Sequence, residues 1–385
     1  MGYFSDYINA GLDPKALQAE RSKQLAQIST IRKRAVLVMA ADIGKGRSPI
    51  SIDAKDLTPL KDQLSSLDGE AIDLLLETPG GSGETAEDIV KLLRRKYKHV
   101  GVIVPGTAKS AGTIMAMAAD EILMEPVSAL GPIDAQILWQ GKVFSAGALI
   151  EKVEKIKEEV RATKELNKAY IPILQSVSPG ELQNAENALE FAKILVRDWL
   201  VQYKFKDWNT HRSSSVAVTA EEKKQRAADV AASLCDHTKW KTHGRSIHIE
   251  DLRAMRLDIT DYTEQAPLCE AIQRYYALLQ LTFESPIYKI FETPTSRIVR
   301  IDAKAAAAAA PVNVNTVGAV EVAVKCNKCA AQNLVAAVFS KDAPVPADRI
   351  RWPLGDQLQC PKCKHVQDIS KARKQIEAQI GKRIN

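Results

Sequence analysis

The chain has 385 residues, 45% hydrophobic and 26% charged, with 53 basic and 47 acidic side chains. That length suggests two to three domains, and that composition is too apolar for a disordered chain and sufficient for an enzyme-sized core. The positive excess sits wholly in residues 301–385, with 13 basic and 7 acidic side chains, whereas residues 1–300 balance at 40 of each, which argues against a body that binds nucleic acid by bulk charge.

Residues 14–34 read as a helix, with Asp13 as cap, Pro14 in its first turn, a partial apolar stripe of Leu17, Leu25, Ile28 and Ile31, and a basic end suited to a helix C-terminus. Ala35 to Ala40 reads as a buried strand. A helix near 56–67, a strand over Ala71–Glu77, a Gly-rich turn at 79–83 and a helix over 84–97 follow. Val100–Val104 is a further strand, 110–119 a helix of small residues and 121–124 another strand. Strands alternating with helices imply parallel βαβ units. From 145 to about 204 the pattern is helical, with breaks at Pro172 and at Ser178-Pro179-Gly180. Residues 206–240 read as a polar insertion with its own helix near 219–235, followed by helices over 249–257 and 266–282.

No apolar run reaches the ~18 residues of a membrane span. The best stretch, Val100 to Met124, is broken by Lys109, Asp120 and Glu121, and the first residues show no apolar signal core. With four of six cysteines in two C-x-x-C pairs, the expectation is a reducing compartment, the cytoplasm.

Two loops carry candidate chemistry. Pro79-Gly80-Gly81-Ser82-Gly83 lies between a strand and a helix, where glycines let backbone N–H groups converge on an anion or a developing oxyanion, or simply make a tight turn. Ala108-Lys109-Ser110-Ala111-Gly112-Thr113 repeats that context. Ser110 there stands at the positive end of a helix, as a nucleophile assisted by the N–H of Ala111 or as a plain N-cap. The spacing does not fit a phosphate loop, which needs glycines where Ile103 and Ala108 stand.

In combination these segments resemble a known family. Glu77-Thr78-Pro79-Gly80-Gly81, Ala108-Lys109-Ser110-Ala111-Gly112-Thr113, Ala119-Asp120-Glu121-Ile122 and Leu130-Gly131-Pro132-Ile133-Asp134 are similar to the serine dehydrogenase proteinases, relatives of signal peptide peptidase A with the Clp-protease/crotonase fold. The resemblance covers about 71–136 and more weakly extends to about 260. It implies an α/β fold of repeated ββα units wound as a superhelix, a homo-oligomer, and cleavage of peptide bonds in a peptide or protein substrate. Carried over by position, it implies Ser110 as nucleophile, Gly81 and Ala111 as oxyanion-hole donors, and Asp134 and a histidine as the remaining triad members. Of His99, His211, His237, His243, His248 and His365, His243 is chosen because Lys241-Thr242-His243 resembles a family segment. Signal-peptide-peptidase relatives instead pair serine with lysine, for which Lys152, Lys164 and Lys168 lie in the matching stretch.

Outside the resemblance, Cys326-x-x-Cys329 and Cys360-x-x-Cys363, 30 residues apart, read as four thiolate ligands of a structural Zn²⁺ in a zinc ribbon. The gap is expected to hold a hairpin of Asn333–Phe339 and Ile350–Leu354. Cys235 and Cys269 read as ordinary buried thiols. The expected organisation is an N-terminal helix (1–34), a Clp-like serine proteinase domain (35–300), an Ala/Pro linker (301–316), a zinc-ribbon module (317–370) and a basic C-terminal helix (371–385). The expected function is a serine endopeptidase whose zinc ribbon recruits a substrate or partner. The alternatives are a catalytically inactive Clp-like binding scaffold, and a nucleic-acid-associated protein that uses the ribbon and basic tail.

Overall fold

Asp13 starts the first long helix as a cap, its carboxylate accepting the Ala16 N–H at 2.7 Å, with Pro14 in the first turn. The computed structural model describes residues 2–46, 48–139, 142–211, 214–303, 319–339, 345–346, 348–380 and 383–384. It divides into two units, Met1–Ala303 and Lys304–Asn385. From residue 304 on, the expected Ala/Pro linker lies outside the described residues.

In the first unit, helices α1 (Tyr3–Ala10) and α2 (Pro14–Arg32) precede β1 (Ala35–Ala41), α3 (Leu57–Ser65), β2 (Ala71–Glu77) and α4 (Gly83–Lys96). Then come β3 (His99–Val104), the short β4 (Thr107–Ala108), α5 (Ala111–Met117), β5 (Glu121–Met124) and the short β6 (Ala129–Leu130). Next are the β7–β8 hairpin (Gln136–Trp139, Lys142–Ser145) and helices α6 (Ala146–Thr163), α7 (Ile171–Gln175), α8 (Pro179–Trp199), α9 (Ala220–Leu234), α10 (His237–Trp240) and α11 (Ile249–Ala254). The unit closes with β9 (Thr260–Asp261), α12 (Ala266–Phe283), β10 (Ile287–Glu292) and β11 (Arg297–Ile301).

One sheet runs β11-β10-β1-β2-β3-β5-β9. β1, β2, β3, β5 and β9 are parallel, and β10 and β11 add an antiparallel edge. Both faces are buried, as a parallel sheet requires. Leu37, Met39, Leu74, Leu76, Val102 and Val104 face the core built with α4, α5, α8 and α9. Val36, Val38, Leu75, Ile103 and Leu123 face the core built with α2 and α12.

Several expectations change. Residues 206–240 are not a polar excursion: α9, opened by a capping box of Thr219 with Glu222, buries Ala227, Val230, Ala231 and Leu234 in the main core, because its charged residues lie off that face of an amphipathic helix. The β10–β11 hairpin escaped the sequence reading because β10 contains Lys289 and Glu292, both buried. Each is neutralised across the fold: Lys289 pairs with Asp56 at 2.9 Å and Glu292 with Arg21 at 2.9 Å. The basic end of α2 also does more than complement a helix dipole. Arg32 and Arg34 bind the buried Asp73 of β2 at 2.7 and 3.2 Å, and Arg32 reaches Glu121 of β5 at 2.5 Å.

The Arg21–Glu292 pair also receives the Tyr275 hydroxyl at 2.6 Å. Removing one member leaves the other charge buried without its counterion. Arg21→Met is therefore expected to lower unfolding free energy by about 3–5 kcal/mol, and Arg21→Met with Glu292→Gln to recover most of it. Urea denaturation checks this; equal losses in both variants would show that the charge is not the cause.

In the second unit, β12 (Ala319–Lys325) pairs antiparallel with β13 (Gln332–Val338), and β15 (Gln357–Gln359) with β16 (Val366–Asp368). β14 (Ile350–Arg351) runs parallel to β13, so the segments expected to form one hairpin do not. The antiparallel partner of β13 is the strand before the first cysteine pair, and Leu354 lies in a 3₁₀ turn with a left-handed Gly355. Val335, Ala337, Trp352, Leu358, Ile369 and Ile384 form a small core, and a helix spans Ser370–Ile380.

Candidate active site and cysteine cluster

The two glycine- and serine-bearing loops meet because their strands are joined beyond the main sheet. The Thr78 N–H donates to the Thr107 carbonyl at 2.8 Å, and the Lys109 N–H to the Thr78 carbonyl at 3.1 Å. Gly81 bridges Ile52 on the other side. Glycine is required at both positions. At Gly80 (φ +104°) a Cβ would lie 2.7 Å from the Ser110 Cβ, and at Gly81 (φ +152°) 2.3 Å from the Ile52 carbonyl oxygen. The Gly80 N–H is used by Thr78 Oγ1 at 3.1 Å. The Gly81 and Ala111 N–H groups have no partner among the described residues.

Ser110 precedes α5 with φ 50° and ψ −113°, a conformation outside the wells open to L-residues that costs roughly 1–3 kcal/mol. It is not the simple N-cap of the alternative reading, since its side chain accepts no capping hydrogen bond. Its Oγ has no hydrogen-bond partner among the described residues, so no contact with a base is made in this conformation.

Asp134 and His243 come together in a cleft of ≈ 230 Å³ that Pro132, Gln136, Ser145 and His237 also line. The Leu130–Ile247 bridge brings their segments side by side, and Thr113 Oγ1 ties Gly131 to the serine helix at 2.9 Å. His243 Nδ1 lies 4.0 Å from Asp134 Oδ2, in ion-pair range but not bonded, and is buried without a partner. The Asp134 oxygens instead accept from Ser145 Oγ at 2.6 Å and Gln136 Nε2 at 3.0 Å. Burial holds the His243 imidazolium below the usual histidine range; the Asp134 charge opposes this and Lys109 adds to it.

The other histidines are engaged elsewhere. His99 faces Asp120 at 3.8 Å, His211 meets Glu222 at 3.1 Å, His237 meets Glu151 at 2.7 Å, and His248 contacts the Ser128 carbonyl at 2.9 Å. His365 belongs to the second unit. Lys152, Lys164 and Lys168 are exposed, and the Lys152 ammonium lies 5.0 Å from the Tyr170 ring centroid.

Two residues near the serine loop take roles that the sequence does not show. Lys109, next to Ser110, donates from Nζ to the Gly244 carbonyl. Glu77, at the end of β2, is buried at 4% exposure and accepts the Thr107 N–H at 2.8 Å and the Tyr276 hydroxyl at 3.4 Å. Neither role is written locally, since each partner lies on a separate segment.

Burial without a cation pushes the Glu77 carboxyl up to about 7, against an ordinary 4.5. The folded state then binds more protons than the unfolded state between those values, so stability falls as pH rises through that window. Above it the cost reaches about 3 kcal/mol. Glu77→Gln should therefore stabilise the protein at pH 8 and be near neutral at pH 4.5, as thermal melts of both proteins would show. An equal gap at the two pH values would disprove the linkage.

In the second unit the Sγ atoms of Cys326, Cys329, Cys360 and Cys363 all lie within 4.8 Å of one another, with Cys326–Cys363 at 3.6 Å and Cys329–Cys360 at 3.7 Å. Tetrahedral Zn–S bonds of ~2.3 Å require about 3.8 Å between sulfurs. Backbone N–H groups of the two turns, Cys329 and Lys328 facing Cys326, and Cys363 and Lys362 facing Cys360, favour thiolate at those sulfurs. In the first unit, Cys235 is a buried thiol pushed up to about 12 by desolvation, and Cys269 is half-buried.

Residues 8–171 match the profile of the family described as ClpP-like SDH-type serine proteinase. An uncharacterized protein of Methanocaldococcus jannaschii is 29% identical over 235 residues, 57% of this chain and 76% of its own length. A second from that organism is 33% identical over 127 residues, 32% of this chain and 44% of its own. Among solved structures, a membrane-bound stomatin-specific protease matches at 15% identity and a TM-score of 0.31, over 57% of this chain and 79% of that one, a likeness too slight to argue from. Among the described residues no helix is long and apolar enough to cross a membrane.

Proposed function

We propose that the chain, whose residues 8–171 match the profile described as ClpP-like SDH-type serine proteinase, is a serine peptidase with Ser110 as nucleophile, Asp134 and His243 as the other triad members, and the Gly81 and Ala111 N–H groups as the oxyanion hole. The observation that carries this reading is the strained Ser110 turn, held against a Gly-Gly loop whose second N–H has no partner among the described residues. Strain of this kind persists where a side chain must be presented to a substrate.

The Ser110 Oγ attacks the scissile carbonyl carbon as His243 takes its proton. Nδ1 faces Asp134, so Nε2 is the basic nitrogen. The carbonyl oxygen gains negative charge between the two backbone N–H groups. His243 then gives the proton to the departing amine, and water, deprotonated by His243 in turn, cleaves the acyl-enzyme. This requires the Asp134–His243 separation to tighten to a hydrogen bond and His243 to reach Ser110, a closure common when substrate binds. With its pKa held low, His243 is neutral and competent as a base at pH 7.

The four-cysteine cluster supports a structural Zn²⁺, held by Cys326, Cys329, Cys360 and Cys363 as a closed site without catalytic chemistry. The second unit would then serve as a substrate or partner adaptor, and the peptidase would work as a homo-oligomer on peptide or protein substrates. A fluorophosphonate probe tests the central claim. It should label the protein covalently at Ser110; a chain that the probe leaves unlabelled would favour the binding-scaffold reading.

A further inference from the structure

We propose that Lys109 is a positioning residue that joins the three segments bearing Ser110, Asp134 and His243 and sets the charge environment of His243. The proposal rests on the reading of Ser110 and His243 as nucleophile and base. Lys109 is the neighbour of Ser110 in the chain. Its stem lies on the loop that leads to Asp134: a Cβ at Gly131 would come within 2.9 Å of the Lys109 Cβ and 3.0 Å of its Cγ, so glycine there makes room for the lysine. Its ammonium reaches the carbonyl of Gly244, the residue after His243. One side chain thus spans the nucleophile turn, the Asp134 loop and the His243 loop.

The contact has an electrostatic consequence. Desolvation lowers the Lys109 pKa from its ordinary value, and its positive charge disfavours protonation of His243. The charged and titratable groups around His243 are Asp134 at 4.0 Å, Lys109, and the cleft residues His237 and Lys241. His237 is engaged by Glu151, and nearby Arg245 lies over the Trp240 ring at 5.7 Å. Asp134 pulls the His243 pKa up and Lys109 pulls it down. Burial also lowers it and remains when Lys109 is removed, but one of the two effects that oppose the carboxylate is then gone, so His243 should hold its proton to higher pH.

The test uses Lys109→Met, which keeps the stem over Gly131 but removes the charge and the donor, and Lys109→Arg, which keeps both. The His243 titration is followed by NMR, its signal assigned through His243→Gln, alongside the fluorophosphonate labelling rate as a function of pH. In Lys109→Met the His243 midpoint should rise, the rate–pH curve should move with it, and labelling at pH 7 should fall about 10- to 100-fold through misplacement of the base. Lys109→Arg should restore the midpoint and part of the rate. An unmoved His243 midpoint in Lys109→Met would overturn the proposal. So would loss of labelling at every pH in Lys109→Met with His243→Gln unimpaired, since Lys109 would then be the base. Failure of the peptidase reading is distinguishable: the wild type would not label, while the His243 titration would still report on Lys109.

Discussion

Ser110→Ala is expected to abolish fluorophosphonate labelling and to lower peptide hydrolysis on the order of 10⁵- to 10⁶-fold, leaving only what the backbone donors and substrate binding supply. The probe forms its bond to the serine oxygen, so no other side chain substitutes for it. The fold should survive, because among the described residues the Ser110 side chain makes no capping hydrogen bond that alanine would lose. The backbone strain at φ 50° and ψ −113° persists in alanine but is relieved by glycine. Ser110→Gly should therefore be equally inactive yet more stable than Ser110→Ala by about 1 kcal/mol or more. Labelling of Ser110→Ala at the wild-type rate would refute the nucleophile assignment. A Ser110→Gly variant no more stable than Ser110→Ala would show that the turn is not strained.

Metal removal is expected to unfold the Lys304–Asn385 unit while the Met1–Ala303 unit stays folded. Among the described residues the small unit has a core cluster of six buried side chains, too little apolar burial to offset the chain entropy of some 80 residues. A structural zinc supplies an apparent ~10–16 kcal/mol at neutral pH, most of which is folding free energy for such a unit. Metal analysis should find one zinc per chain. Adding a strong chelator, or Cys360→Ser, should collapse the amide NMR signals of the small unit and leave those of the large unit in place. A small unit that keeps dispersed signals without metal would disprove the structural role. With zinc bound, four thiolates and one Zn²⁺ would add a net −2 and reduce the +6 of residues 301–385 to about +4.

Features that depend on neighbouring residues were legible. The Asp13 cap, the strands over 71–77 and 121–124, and the Pro-Gly-Gly and serine-helix motifs are set by side chains within a few positions of the backbone they control. The C-x-x-C pairs belong here too, since two turns of that form can present four thiolates whatever joins them. The connection itself was misread, because the strand Ala319–Lys325 lies next to an alanine- and proline-rich stretch that reads as linker.

Where polar residues are buried, the reading failed. Ile287–Glu292 carries a lysine and a glutamate, and hydrophobic patterning cannot admit them to a sheet. Only the distant Asp56 and Arg21 make that burial tolerable. Likewise α9 appeared as a polar insertion until its alanines and valine met the core.

The sequence by itself carried the resemblance of the first unit to a known family, the glycine and serine loops and the two cysteine pairs, since these rest on local backbone sterics and short spacings. Only the tertiary structure decided which of six histidines faces Asp134, that Ser145 and Gln136 occupy that carboxylate, that Glu77 is held near a pKa of 7, and that Lys109 reaches the His243 loop. The physical reason is the same in each case. Electrostatic energy depends on distance and solvent exposure, and both are fixed by segments as much as 199 residues apart in the chain.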